Sequence, residues 1–430
     1  MRRSRALARR IGGALADACG GGARRRGVDA RLGVGHRCRC RRRRRCCDRD
    51  HRRRPAPRAR RAVVRRRLLV VAVATAVTLL VGCAAHDPSA SPAPAGSAAQ
   101  PRPISDLDVL EDPRSYEGPS TAVLPDAAIV PVVDEPAQSL PTTALSHDLG
   151  GVSEVTVDDT SRVVAMDLAG SLAATVWGLG FGDSLVGRDV STVFPGVEDL
   201  PVVTTGGHTV SSEAVIALRP TLVITDGSIG PRDVVEQLRD VGIPVVFVEN
   251  EASFAGAQQL ARDVAAVFGA PAAGEALAVR IGDEVDRARA DIAAVTPVSD
   301  ADRLRMVFLY LRGTAGVYYL FGEESGADEI IRALGGVDVA GELGWDGMRP
   351  LTDEAMVAAN PDLILVMSGG IESVGGVDGL LASKPAIAIT TAGAHRRFVD
   401  MADGQILSFG PRSAEVLEAL ARAVYAPTAS

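Results

Sequence analysis

A thirteen-residue unit occurs twice in this chain. Ser212-Glu213-Ala214-Val215-Ile216-Ala217-Leu218-Arg219-Pro220-Thr221-Leu222-Val223-Ile224 matches Asp353-Glu354-Ala355-Met356-Val357-Ala358-Ala359-Asn360-Pro361-Asp362-Leu363-Ile364-Leu365 at a constant offset of 141. Each copy begins with residues suited to cap a helix (Ser211 or Ser212; Thr352 or Asp353) and places an acid in the first turn, where the helix dipole favours it. A proline then stops the helix, and an apolar run suited to a buried strand follows. Two copies of a helix–Pro–strand unit so far apart predict two α/β lobes of similar build.

The flanking pattern agrees. Strands are expected at Arg162–Asp167, Leu185–Arg188, Leu222–Thr225 and Val245–Val248, with helices over 169–179, 211–218, 232–241 and 253–268. The stretch from Ala272 to Ala294, broken only by Gly274 and Gly282, predicts one long helix. After Pro297 the alternation restarts, with strands at Arg305–Leu311 and Leu363–Met367 and helices over 326–334, 352–359 and 412–424. The fold class is therefore α/β, two doubly wound lobes over 151–270 and 298–430 joined by a single long helix within 271–297.

Charge divides the chain at Cys83. The net charge of −6 hides 26 Arg against four acids in residues 1–83, which is +22, and therefore −28 over the remainder. An acidic body lacks the positive footprint that nucleic-acid binding needs. All six cysteines lie at or before position 83, so thiolate metal sites, iron–sulfur clusters and disulfides are excluded beyond it.

Residues 68–82, LLVVAVATAVTLLVG, follow Arg65-Arg66-Arg67 and are too short for comfortable membrane spanning, which takes about 20 apolar residues. A basic start, a short apolar run and small residues at its end form an export signal, here over 63–83. Leu80-Val81-Gly82-Cys83 resembles the lipobox of bacterial lipoproteins, which implies lipidation of Cys83 and attachment to the extracytoplasmic face of the cell membrane. Residues 1–62 are basic and of low complexity, and are expected to reflect a misassigned start. Residues 84–150, rich in Pro, Ser and Ala at their beginning, are expected to be a tether with one strand near Ala128–Val133.

The doubled Glu-Ala…Pro-x-Leu unit, Gly206-Gly207-His208 before its first copy and Tyr310-Leu311-Arg312-Gly313 at the end of a strand carry a resemblance. Over about 155–425 the chain resembles the class III substrate-binding proteins of ABC transporters, and within them the haem-binding lipoproteins of the HmuT type. The resemblance implies capture of ferric haem b as cargo between two lobes, and delivery to an ABC permease and its ATPase for iron uptake. It also implies that Glu213 and Glu354 dock onto arginines of the permease, beyond the helix-dipole role they have in any case.

The chemistry of the residues fits that cargo. Ligands of doubly wound sheets sit beyond the carboxyl ends of the strands, which brings His208 and Tyr310 to opposite walls of one cleft. Imidazole and phenolate are both axial ligands of haem iron. A phenol titrates near pH 10, so a neighbouring cation helps to hold the phenolate. Arg312, two residues along the same strand, lies on the face of Tyr310. Tyr318 and Tyr319 could stack on a porphyrin or pack in the core, and Trp345 and Met348 precede the second repeated helix. Arg349 stands at the position of His208 shifted by 141, as a partner for a propionate; Ser368 and Gly369 follow a strand and could meet a carboxylate.

Two alternatives remain open. The same fold could take a ferric siderophore or cobalamin, held by arginine and aromatic contacts. An extracytoplasmic α/β enzyme is disfavoured, since the chain carries no nucleophile elbow, no phosphate-cradling loop and no paired-histidine metal motif.

Overall fold

The computed structural model describes residues 102–429 apart from Leu149; Cys83, the export segment and residues 84–101 lie outside the described residues. From residue 102 the expected tether is folded. β1 (Ser120–Ala122) is followed by an antiparallel hairpin of β2 (Thr142–Asp148) and β3 (Gly151–Val157), whereas 128–133 forms no strand. The Pro-punctuated stretch has no hydrophobic period to betray this. Its apolar residues Ile104, Leu124 and Ile129 dock singly into a core that other elements supply.

The first lobe runs β4 (Val163–Met166), α1 (Ser171–Val176), β5 (Leu185–Arg188), the two-residue strands β6 (Thr204–Thr205) and β7 (Thr209–Val210), α2 (Ser212–Ala217), β8 (Leu222–Thr225), α3 (Asp233–Asp240), β9 (Val245–Phe247) and α4 (Phe254–Val267). Its parallel sheet has the order β5-β4-β8-β9. Val163, Val164, Ala165, Leu222, Val223 and Ile224 are fully buried, as strands covered on both faces must be.

One helix, α5 (Pro271–Ala293), leads out of that lobe. Pro271 begins it, where a missing N–H costs nothing. Leu277, Ile281, Val285, Ala288 and Ile292 recur every three or four residues and bury one face. Each such Leu or Ile contributes about 1.5–3 kcal/mol.

The second lobe adds β10 (Arg305–Arg312), β11 (Val317–Phe321), α6 (Ala327–Ala333), β12 (Val337–Asp338), β13 (Met348–Pro350), α7 (Asp353–Ala359), β14 (Leu363–Met367), β15 (Phe398–Met401) and α8 (Ser413–Tyr425). Its sheet has the order β1-β15-β14-β10-β11-β13, with β12 also pairing β10. The N-terminal β1 thus closes the edge of the C-terminal sheet, in parallel register with β15. Arg397, which is 1% exposed, locks that junction. It donates to Ser120 Oγ at 2.9 Å and to the Val424 carbonyl at 2.6 Å, and lies over the Tyr116 ring. Burial pushes its guanidinium down to about 10.

The sequence duplication extends to the backbone. Ser211 Oγ accepts from the Ala214 N–H and Thr352 Oγ1 from the Ala355 N–H, the same cap in each lobe. Arg219 (φ 49°) and Asn360 (φ 36°) both turn left-handed ahead of the repeated prolines. Arg162 and Arg305, at the starts of corresponding strands, donate to carbonyls at the ends of α2 and α7.

Candidate functional site at the strand ends

His208 sits at the tip of the hairpin formed by β6 and β7. Gly206 and Gly207 make that turn at φ 56° and 97°, a conformation that suits glycine. The imidazole is half-buried, and its Nδ1 is enclosed without a hydrogen-bond partner. Burial, and then the charge of Arg312, hold its pKa below the ordinary histidine value. The shift favours the neutral ring, the form that ligates metal. Arg312 belongs to the other lobe.

Tyr310 is 8% exposed and stacks on Phe321 with ring centroids 5.7 Å apart. Arg312 lies over the tyrosine ring, its guanidinium carbon 4.8 Å from the centroid. Antiparallel register sets Tyr319 directly opposite Tyr310, and so on the same face. Tyr318 faces the other way, beneath the ammonium of Lys384 at 4.0 Å, and packs with the Leu309–Leu311 side of the sheet. Of the two tyrosines only Tyr319 joins Tyr310.

Arg349 does not join them. It pairs with Leu320, so its side chain leaves the sheet on the face opposite Tyr310, and Met348 takes the Tyr310 side through Phe321. The offset of 141 holds from the helix caps onward but not upstream of them. There the first lobe builds a hairpin turn and the second an edge strand.

The sequence pattern also left Asp403 out. Its Oδ2 accepts from Arg312 Nη2 at 2.7 Å, and its Oδ1 accepts from the Gly369 N–H at 2.8 Å. An Asp-Gly pair two residues beyond the apolar strand β15 was the available signal. Ser368 Oγ is likewise taken, donating to Asp400. Glu213 and Glu354 are exposed in the first turns of α2 and α7. A cavity of about 500 Å³ opens elsewhere, behind α5, among Arg289, Thr296, Arg303 and Arg332. Among the described residues no group of three or more His, Cys, Asp or Glu is arranged to hold a metal ion, and no helix is long and apolar enough to cross a membrane.

Two α/β lobes joined by one long helix, each with polar side chains at the carboxyl ends of its strands, have the architecture of a binding protein for a small molecule. A family model described as periplasmic binding protein matches residues 164–403, and the chain belongs to that family, in its class III fold. It is a substrate-binding transport protein and not an enzyme.

Among solved structures the chain is similar to the haem-binding protein HmuT, at 42% identity over 73% of this chain and 99% of that one, with a TM-score of 0.68. Structures of HmuT with alanine in place of a histidine, a tyrosine and an arginine two residues beyond that tyrosine match at the same identity. The periplasmic haem-binding protein RhuT from Roseiflexus sp. RS-1 matches at 36% identity over 63% of this chain and 99% of that one, with a TM-score of 0.57. A curated relative, the uncharacterized ABC transporter substrate-binding lipoprotein YvrC of Bacillus subtilis (strain 168), is 27% identical over 64% of this chain and 87% of its own length.

Proposed function

We propose that this protein captures ferric haem outside the cytoplasm and passes it to an ABC permease and its ATPase. The proposal rests on His208, half-buried with an unpartnered Nδ1 on a hairpin of the first lobe, and on the Tyr310–Arg312 contact at the carboxyl end of β10 in the second. A neutral imidazole from one wall and a phenol under a guanidinium from the other are a fitting axial pair for ferric iron. Tyr319 adds a second aromatic ring beside Tyr310. Arg349, on the opposite face of the sheet, has no part in it. The haem-binding structures similar to the chain support the cargo, and the lipoprotein among its relatives supports anchoring through Cys83. Glu213 and Glu354, exposed at corresponding helix starts, are the proposed contacts with the permease.

The test is an absorbance titration with hemin of the chain from residue 84 onward. Saturable binding with a Soret band displaced from that of free hemin is the expected result. Binding of a ferric siderophore or cobalamin, with no such displacement by hemin, would transfer the cargo to that class.

A further inference from the structure

Three of the first lobe's parallel strands are each followed at once by aspartate: Asp167 after β4, Asp189 after β5 and Asp226 after β8. Since the sheet order is β5-β4-β8, the three carboxyls stand side by side at its carboxyl edge. Asp167 and Asp189 are fully buried and Asp226 half-buried. They form one network. Asp189 Oδ2 accepts from the Asp167 N–H, and its Oδ1 accepts from the Ser191 and Thr192 N–H groups. Asp167 accepts from the Ser171 and Leu172 N–H groups and from Ser171 Oγ. Asp226 accepts from Ser228 and from Asn250 Nδ2, which donates to Ser171 Oγ as well.

The loops that begin at two of these aspartates carry the His208 hairpin. The Val190 N–H, one residue past Asp189, donates to Thr204 Oγ1 of β6 at 3.0 Å. The Val210 N–H of β7 donates to the carbonyl of Gly230, four residues past Asp226, at 2.6 Å. We propose that Asp167, Asp189 and Asp226 are positioning residues for His208, fixing the two loops that clamp either side of its hairpin and so presenting the imidazole to the cargo. This rests on the assignment of His208 as a ligand.

Burial pushes all three carboxyls up, and for Asp167 the charges of Asp226 and Asp189 push further. The charged groups on the surrounding elements do not offset this by hydrogen bonding. Arg188 turns to the Thr192 carbonyl, Arg412 to the Ala127 carbonyl and Arg232 stands exposed past Gly230. Glu249 pairs with His147, Glu251 accepts from Ser253, and Asp403 holds Arg312. Like charges crowd the network as it loses protons. Each group binds its proton more tightly folded than unfolded, so the clamp weakens as pH rises above the ordinary carboxylate range of about 4.

Two variants of the full-length chain test this. Asp189→Asn sets an amide against three N–H donors and should loosen the clamp. Asp226→Asn keeps the acceptor facing Ser228; an Asn250 amide reversed to meet the new NH₂ gives up its bond to Ser171 Oγ, but both loop-to-hairpin bonds remain, so the variant should keep the clamp and lessen its pH dependence. In the protein without hemin, protection against hydrogen exchange over 203–211, relative to the intrinsic rate at each pH, should fall about tenfold in Asp189→Asn and decline less toward alkaline pH in Asp226→Asn than in the parent. With hemin bound, Asp189→Asn should give the spectrum of His208→Ala while keeping the tyrosinate band, and the double variant should add nothing further. Unchanged exchange over 203–211, or additive spectral effects, would overturn the proposal. If His208→Ala itself leaves the spectrum unchanged, the ligand assignment fails and the exchange data alone judge the clamp.

Discussion

Arg312 serves Tyr310 and Asp403 at once. Its guanidinium carbon rests 4.8 Å above the tyrosine ring, while its Nη2 donates to the Asp403 carboxylate at 2.7 Å. The ion pair is partly exposed on both sides and worth little to stability, about 0–1 kcal/mol. Its effect lies in orientation, for it holds a cation against the tyrosine ring.

Tyr310→Phe keeps the stacking on Phe321 and the contact with Arg312 but removes the donor oxygen. Hemin affinity should fall at least about tenfold, or about 1.4 kcal/mol, and any phenolate-to-iron charge-transfer band should vanish. Absorbance titration of the variant beside the parent protein measures both.

Arg312→Ala should raise the pKa of His208 part of the way toward its ordinary value, burial being the larger cause of the depression. As the native state binds this proton less readily than the unfolded chain, His208 withdraws stability as pH falls below about 6.5, and the variant should withdraw less. An NMR titration of the imidazole reports the first effect and urea unfolding at several pH values the second. In the hemin complex the same substitution should move the tyrosinate signature to higher pH.

Reversal of both helix-start acids, Glu213→Lys with Glu354→Lys, should abolish haem uptake by cells while the hemin titration of the purified protein stays as it was. A weakened titration would place these acids in the cleft.

Arg397→Ala leaves Ser120 Oγ bonded to the Ala423 carbonyl but strips the Val424 carbonyl of its donor and empties the space of a buried side chain. It should cost about 2–4 kcal/mol, seen as a lower urea midpoint at unchanged m-value.

Cys83→Ala should abolish incorporation of labelled fatty acid and release the protein from the membrane fraction, without altering hemin binding by the folded body.

What could be seen in the sequence was whatever repeats or follows a period. The helix-Pro-strand units at 212–224 and 353–365 announce two lobes because local chemistry alone, a cap, an acid and a proline, dictates each of them. Leu185–Arg188, Leu222–Thr225 and Leu363–Met367 are strands over the spans expected. Tyr310 and Arg312 share a face because a strand alternates, which needs no tertiary information. Arg349 was misplaced because its face depends on pairing with β11, a partner that spacing does not reveal. Asp167, Asp189 and Asp226 each directly follow an apolar run, but their significance comes from sheet order, which sets distant residues side by side and is not written in any local pattern.

The folded stretch from 102 onward changes the mechanics of the pair of lobes. It is sewn to the C-terminal sheet by β1, then crosses to the other lobe, where Trp177 Nε1 donates to the Ile129 carbonyl and the Val132 N–H to that of Gly178. The polypeptide thus spans the divide at two separate places, here and along α5. A door hung on two pins swings about the line joining them and resists wringing across it. Any relative motion of these lobes is accordingly restrained at two places and not at one.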